Sequence, residues 1–101
     1  VKIVLLNNNY LGNVRQWQEM FFSHRYSFTP MLNPNYELIA QGYGIPAKTV
    51  VERKDLDDAI KEMLATPGPY LLQCAIEEED NVMPMVPPGA NIDEMILEYK
   101  S

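Results

Sequence analysis

The chain has 101 residues, 47% of them hydrophobic and 22% charged, the composition of a single globular domain and not of a disordered or low-complexity segment. Eight basic residues against 14 acidic ones give a net charge of -6, which argues against nucleic acid as a partner, because phosphate-backbone binding is driven by clustered Lys and Arg. No apolar run approaches the roughly 20 residues of a membrane span, and the lone Cys74 has no internal disulfide partner, so a reducing, cytoplasmic compartment is expected.

Val1-Lys2-Ile3-Val4-Leu5-Leu6 is a near-continuous β-prone run, which predicts a strand buried on both faces of a sheet. A chain that opens in such a strand, without Met, reads as a piece of a larger protein. After the polar turn Asn7-Asn8-Asn9, the residues Tyr10, Val14, Trp17 and Phe21 recur at helical spacing, with Leu11 and Phe22 at the margin of the stripe, predicting a helix that faces a core. Residues 23–32 lose periodicity and read as an irregular connection. Asn33 as cap and Pro34 at the first helical position predict a second helix ending at Gly42. Residues 47–51 read as a second strand. Leu56, Ala59, Ile60, Met63 and Leu64 then mark a third helix, with Asp55, Asp57 and Asp58 at its start, where the positive end of the dipole favours them. Pro67-Gly68-Pro69 stops it, and residues 70–76 read as a third strand. The acidic run Glu77 to Asp80 reads as a solvated strand end. Beyond it, Pro84, Pro87, Pro88 and Gly89 predict an extended arm followed by a short helix over 92–97. Strands alternating with helices give an α/β fold of parallel βαβ units, with a domain body over 1–80 and the Pro-rich arm over 81–101.

In such folds ligands bind beyond the carboxyl ends of the strands, which is where Asn7-Asn8-Asn9 falls. The triplet has two readings. It can simply build a turn and a helix cap, or its amide oxygens can serve as hard, neutral donors to Mg²⁺ next to a helix N-terminus that favours an anion. Gly12 would let a ligand approach the main chain closely. On pattern alone, Trp17 reads as a packing residue of the helix. His24, the only histidine, has no Cys or Ser partner in the sequence pattern and reads as structural or surface. Cys74 reads as a small buried residue.

The segments Leu6-Asn7-Asn8-Asn9-Tyr10-Leu11-Gly12, Val14-Arg15-Gln16-Trp17-Gln18, Arg25-Tyr26-Ser27, Asn33-Pro34, Tyr43-Gly44 and Met83-Pro84-Met85-Val86-Pro87-Pro88-Gly89-Ala90 resemble the thiamine-diphosphate-binding domain of acetolactate synthase (acetohydroxyacid synthase) catalytic subunits. The resemblance spans nearly the whole chain. The Asn pair is shared by many thiamine enzymes, whereas the Trp17 and Met-Pro-Met-Val-Pro-Pro-Gly segments select this family. The doubly wound fold of that domain is thereby implied. So is a cofactor role for Asn8, through its side-chain oxygen to Mg²⁺, and for Tyr10, through its main-chain carbonyl. Asn7 supports the turn, and Leu11 and Gly12 lie along the diphosphate through their main chain. Trp17, with Asn13 where the family commonly has Met, is assigned to the pocket for the second 2-oxo acid. The resemblance makes Trp17 a substrate residue in place of a packing one, and puts the arm over the mouth of the active site.

The resemblance further implies an enzyme that decarboxylates pyruvate on thiamine diphosphate and condenses the product with pyruvate or 2-oxobutyrate. That reaction begins branched-chain amino-acid biosynthesis. It implies Mg²⁺, an FAD held mostly by another domain, a homo-oligomer, and a regulatory small subunit. The activating glutamate comes in the family from a neighbouring subunit, and one metal-binding Asp from the first half of the cofactor motif, so the 101 residues alone are expected to be inactive. Two alternatives stay open at this level: another thiamine enzyme, such as a pyruvate oxidase, a decarboxylase or a different carboligase, and a non-enzymatic α/β module that binds a partner through its arm.

Overall fold

The alternation of apolar patterns resolves into strands and helices in the expected order. The computed structural model describes residues 1–100. Strand β1 is Lys2–Asn7, helix α1 Gly12–Phe21, helix α2 Tyr36–Gly42, strand β2 Ala47–Val50, helix α3 Leu56–Ala65 and strand β3 Tyr70–Ala75, with single 3-10 turns at Arg53–Asp55 and Ile92–Glu94. These elements fall into two compact units. One comprises residues 1–9 and 31–77, the other residues 10–30 and the chain from Glu78 onward.

The first unit is a parallel three-stranded sheet in the order β1-β3-β2. Lys2 lies opposite Tyr70 and Asn7 opposite Ala75 on one side of β3, and Ala47 opposite Leu71 and Val50 opposite Cys74 on the other. Parallel neighbours need a crossover, and α3 supplies the one from β2 to β3. The two-residue period of β3 puts Tyr70, Leu72 and Cys74 on one face. Ala59 and Met63 of α3 pack there with Val50, flanked by Leu56 and Ile60. Leu72 and Ala59 are completely buried, so this contact is the centre of the core. Asp57 and Asp58 occupy the first turn of α3, as the dipole favours. Beyond its other end, Lys2 Nζ donates to the carbonyls of Thr66 and Gly68, near where the last helical carbonyls lack partners.

Two sequence expectations are corrected in this unit. β1 is not buried on both faces: Ile3, Val4 and Leu6 are all substantially exposed. Among the described residues it lies at the edge of the sheet, beside β3, and α2 and α3 pack chiefly on β2 and β3. Helix α2 begins at Tyr36, not directly after Asn33-Pro34. Asn35 is its cap, with its side-chain oxygen accepting the Leu38 N–H at 3.0 Å, because Asn33 is engaged elsewhere.

The second unit is built on α1. The helix buries Arg15, Gln16 and Glu19 while Val14, Trp17 and Phe21 are exposed, the reverse of the core-facing stripe that the apolar period predicts. Residues 23–32 are irregular as expected, with Ser23, His24 and Phe28 at φ of 54°, 57° and 55°. Along the arm, Met85 and Ile96 exchange both main-chain hydrogen bonds, at 2.9 and 2.7 Å. That antiparallel bridge holds residue 96 extended, so the helix expected over 92–97 contracts to the turn Ile92–Glu94. Among the described residues, no helix is long and apolar enough to cross a membrane.

Candidate functional site

The Asn turn is organised by one amide. Asn7 Oδ1 accepts the Asn9 N–H at 2.9 Å and the Asn33 Nδ2 at 2.9 Å, so a local Asx-type turn is tied to a residue 26 positions away. Asn33 Nδ2 also lies 3.4 Å from Asn9 Oδ1, and Asn33 Oδ1 accepts the Tyr36 hydroxyl at 3.2 Å. Asn9 sits at φ 59°, a left-handed conformation that Asn tolerates better than most residues. Its carbonyl accepts the Met31 N–H at 2.7 Å, and the Asn7 carbonyl the Ile76 N–H at 3.1 Å. Asn7 is therefore committed to the turn, and Asn8, between these two anchored neighbours, is half-buried.

In the second unit, Tyr10 forms an isolated antiparallel bridge with Pro30, and the Leu11 N–H donates to the Thr29 carbonyl at 2.9 Å. Leu11 holds the cap position of α1 without a side-chain cap, and the first turn, which Gly12 opens, contains no acidic residue. The free N–H groups and the dipole there, equivalent to about half a positive charge, favour an anion. Asn13 is exposed on this first turn, and Trp17, one turn on, is 41% exposed. The sequence-selected residues Tyr10, Leu11, Gly12, Asn13 and Trp17 thus share one unit, and Asn8 belongs to the other.

These donors suit a metal-bound diphosphate. Amide and main-chain carbonyl oxygens are hard ligands of the kind Mg²⁺ takes alongside phosphate oxygens. A helix start lacking both a side-chain cap and a carboxylate neither blocks nor repels the phosphate.

Comparison with known proteins then decides the family. Residues 1–74 match the family described as thiamine pyrophosphate enzyme, C-terminal TPP binding domain. The chain belongs to this family. The chain is 45% identical over 97 residues to the acetolactate synthase isozyme 2 large subunit of Escherichia coli, covering 95% of this chain and 18% of the relative. It is 42% identical over 96 residues to the mitochondrial acetolactate synthase catalytic subunit of Saccharomyces cerevisiae, covering 95% and 14%. With the chloroplastic acetolactate synthase 1 of Oryza sativa subsp. japonica the figures are 40% over 106 residues, covering 97% and 16%. The chain therefore spans between 14% and 18% of the length of these relatives.

Sequence reasoning missed the polar cluster of the TPP-binding domain beside Tyr10. Arg15 is buried, with its guanidinium 4.9 Å from the Tyr10 ring centroid and 4.6 Å from that of Tyr26. Its Nη2 donates to Glu79 Oε1 at 2.7 Å, and Nη1 lies 3.8 Å from Glu19 Oε2. Burial opposes the Arg15 charge, but the hydrogen bond to Glu79 and the electrostatic influence of Tyr26 and Tyr10 outweigh it, and the guanidinium is held above its ordinary value. One member of the acidic run is thus a structural counter-ion. The available signal was the placement of Arg15, Gln16 and Glu19 at i, i+1 and i+4. His24 is exposed, with Nδ1 3.3 Å from the Tyr26 hydroxyl, and Cys74 is buried, both as expected.

Proposed function

We propose that this chain is a segment of an acetolactate synthase catalytic subunit, which decarboxylates pyruvate and condenses the product with a second pyruvate or with 2-oxobutyrate. The observation that carries the reading is the 40–45% identity to acetolactate synthases over at least 95% of the chain. Thiamine diphosphate, when bound, supplies the electron sink that makes loss of CO₂ from a 2-oxo acid feasible.

The chain's own residues do the holding. Asn8, through its side-chain oxygen, and Tyr10, through its main-chain carbonyl, would hold Mg²⁺, and the main chain at Leu11 and Gly12 would bind the diphosphate. The Asn7–Asn33 bond supports this by setting the turn before a cation arrives, and within its own unit the Arg15 stack steadies Tyr10. Such preorganisation lowers the cost of ordering on binding. Trp17 and Asn13 form one wall of the pocket for the acceptor 2-oxo acid, a role supported by the exposure of both. Magnesium and FAD, a homo-oligomeric catalytic subunit, a regulatory small subunit and a cytoplasmic location complete the proposal. The isolated 101 residues make no acetolactate.

Trp17 gives the test. In the complete enzyme that carries this chain, Trp17→Leu shifts the ratio of 2-aceto-2-hydroxybutyrate to 2-acetolactate by about tenfold, the discrimination that one methylene-sized contact supplies. An unchanged ratio at normal activity overturns the assignment of Trp17. Failure of the unsubstituted enzyme to form either product overturns the reading as a whole.

A further inference from the structure

Helix α1 grips the arm with its polar face, and the central grip is a single side chain. Gln16 is 3% exposed. Its Oε1 accepts the Val82 N–H at 3.0 Å and its Nε2 donates to the Val82 carbonyl at 2.9 Å. One glutamine amide thus pairs both main-chain groups of an arm residue, as a neighbouring strand would. The same Nε2 lies 3.3 Å from Met85 Sδ. On either side, Arg15 holds Glu79 at 2.7 Å and Glu19 accepts from Asn81 Nδ2 at 2.9 Å, while the Tyr99 hydroxyl donates to the Glu19 carbonyl at 3.4 Å. Glu79, just before the arm, and arm residues 81 and 82 are therefore matched one by one to helix positions 15, 19 and 16.

Apolar burial along the arm is only partial: Val82, Ile92 and Leu97 are 75%, 77% and 67% exposed, and Met83, Met85, Met95 and Ile96 are half-buried. Polar attachments fix position more than they add strength, since a hydrogen bond nets little over water but a misplaced buried partner is costly. A one-residue slip of the arm would leave the buried Gln16 amide facing the wrong main-chain groups.

We infer that Gln16 is a positioning residue that fixes the register of the arm on α1, so that the arm and the adjacent Trp17 are presented to the acceptor substrate as one body. The inference rests on the proposed role of Trp17. Gln16 touches neither substrate nor cofactor in this scheme and acts through Val82.

Gln16→Met keeps the length of the side chain and removes both Val82 bonds, and Gln16→Glu keeps the acceptor and removes the donor. In the complete enzyme, amide hydrogen exchange over residues 79–85 is expected to quicken about tenfold in Gln16→Met, with β3 and α3 unaffected. Gln16→Glu should fall between that variant and the parent. KM for 2-oxobutyrate as acceptor should rise in the same order while thiamine diphosphate affinity stays constant. Unchanged exchange in both variants overturns the grip. Faster exchange with an unaltered acceptor KM overturns the positioning role. If the unsubstituted enzyme forms no acetohydroxy acid, the functional reading falls and the acceptor role with it, while the exchange data still judge the grip.

Discussion

Asn7 and Arg15 look polar and expendable in the sequence, yet each stands at the centre of a local network. Asn7 Oδ1 collects the Asn9 N–H and the Asn33 side chain, and Arg15 collects two carboxylates and two aromatic rings. For Arg15 the burial of a cation is tolerable because its charge meets Glu79 and Glu19 and its faces meet two rings, although its Nε–H has no hydrogen-bond partner among the described residues. Arg15→Ala leaves Glu19 buried without its cation and removes the guanidinium from the two ring faces, so unfolding by urea should show a loss of about 3 kcal/mol. Arg15→Lys keeps the charge but not the planar stack, and should lose about 1–2 kcal/mol. An Arg15→Lys variant as stable as the parent would show that the stacking geometry contributes nothing.

At the scale of elements, β2 and α3 are joined at their exposed margin by Lys48 and Glu62, whose Nζ and Oε2 lie 2.6 Å apart, with the Tyr70 hydroxyl 3.2 Å from Glu62 Oε1. The bond to Lys48 holds the Glu62 carboxyl below its ordinary range, and the same bond holds Lys48 above its own. A depressed carboxylate contributes stability that is complete above its unfolded value, about 4.3, and is lost as pH falls through the folded one. The raised lysine contributes stability that is complete below its unfolded value, about 10.4, and is lost as pH rises past the folded one. Thermal melts of the parent and of Glu62→Gln should therefore differ near neutrality and converge toward pH 2. A difference that persists unchanged at pH 2 would assign the effect to packing. Both groups face solvent, so the difference is small and shrinks in salt.

The strands and helices were legible because their apolar periods are local: Leu56, Ala59, Ile60 and Met63 announce α3 and its buried face without reference to anything else. The orientation of α1 was not. Its apolar stripe is genuine, but its polar face finds partners 62 to 66 residues further along, and hydrogen bonds over that span leave no periodic trace. The cap of α2 was misread for the same reason. Asn33 and Asn35 look equivalent in sequence, and only the contact with Asn7 decides which of them is free to cap. β1 reads as an inner strand by composition, whereas its place in the sheet depends on which strands flank it. At the candidate site, the turn of Asn7, Asn8 and Asn9 was visible as a motif, and the division of labour within it required the fold.

At the scale of the molecule, the chain covers 14–18% of the acetolactate synthases it matches, and the proposed function makes it one part of a larger catalyst. Its proposed contribution is half of a cofactor anchor and one wall of a pocket. The anchor is the central claim, and calorimetry tests it most directly. Titration of the complete enzyme with thiamine diphosphate should show binding that requires Mg²⁺, with Asn8→Ala raising Kd at least about tenfold, because an oxygen ligand is lost from a cation that tolerates few substitutes. Binding that is indifferent to Mg²⁺, or a Kd unmoved by Asn8→Ala, would contradict it.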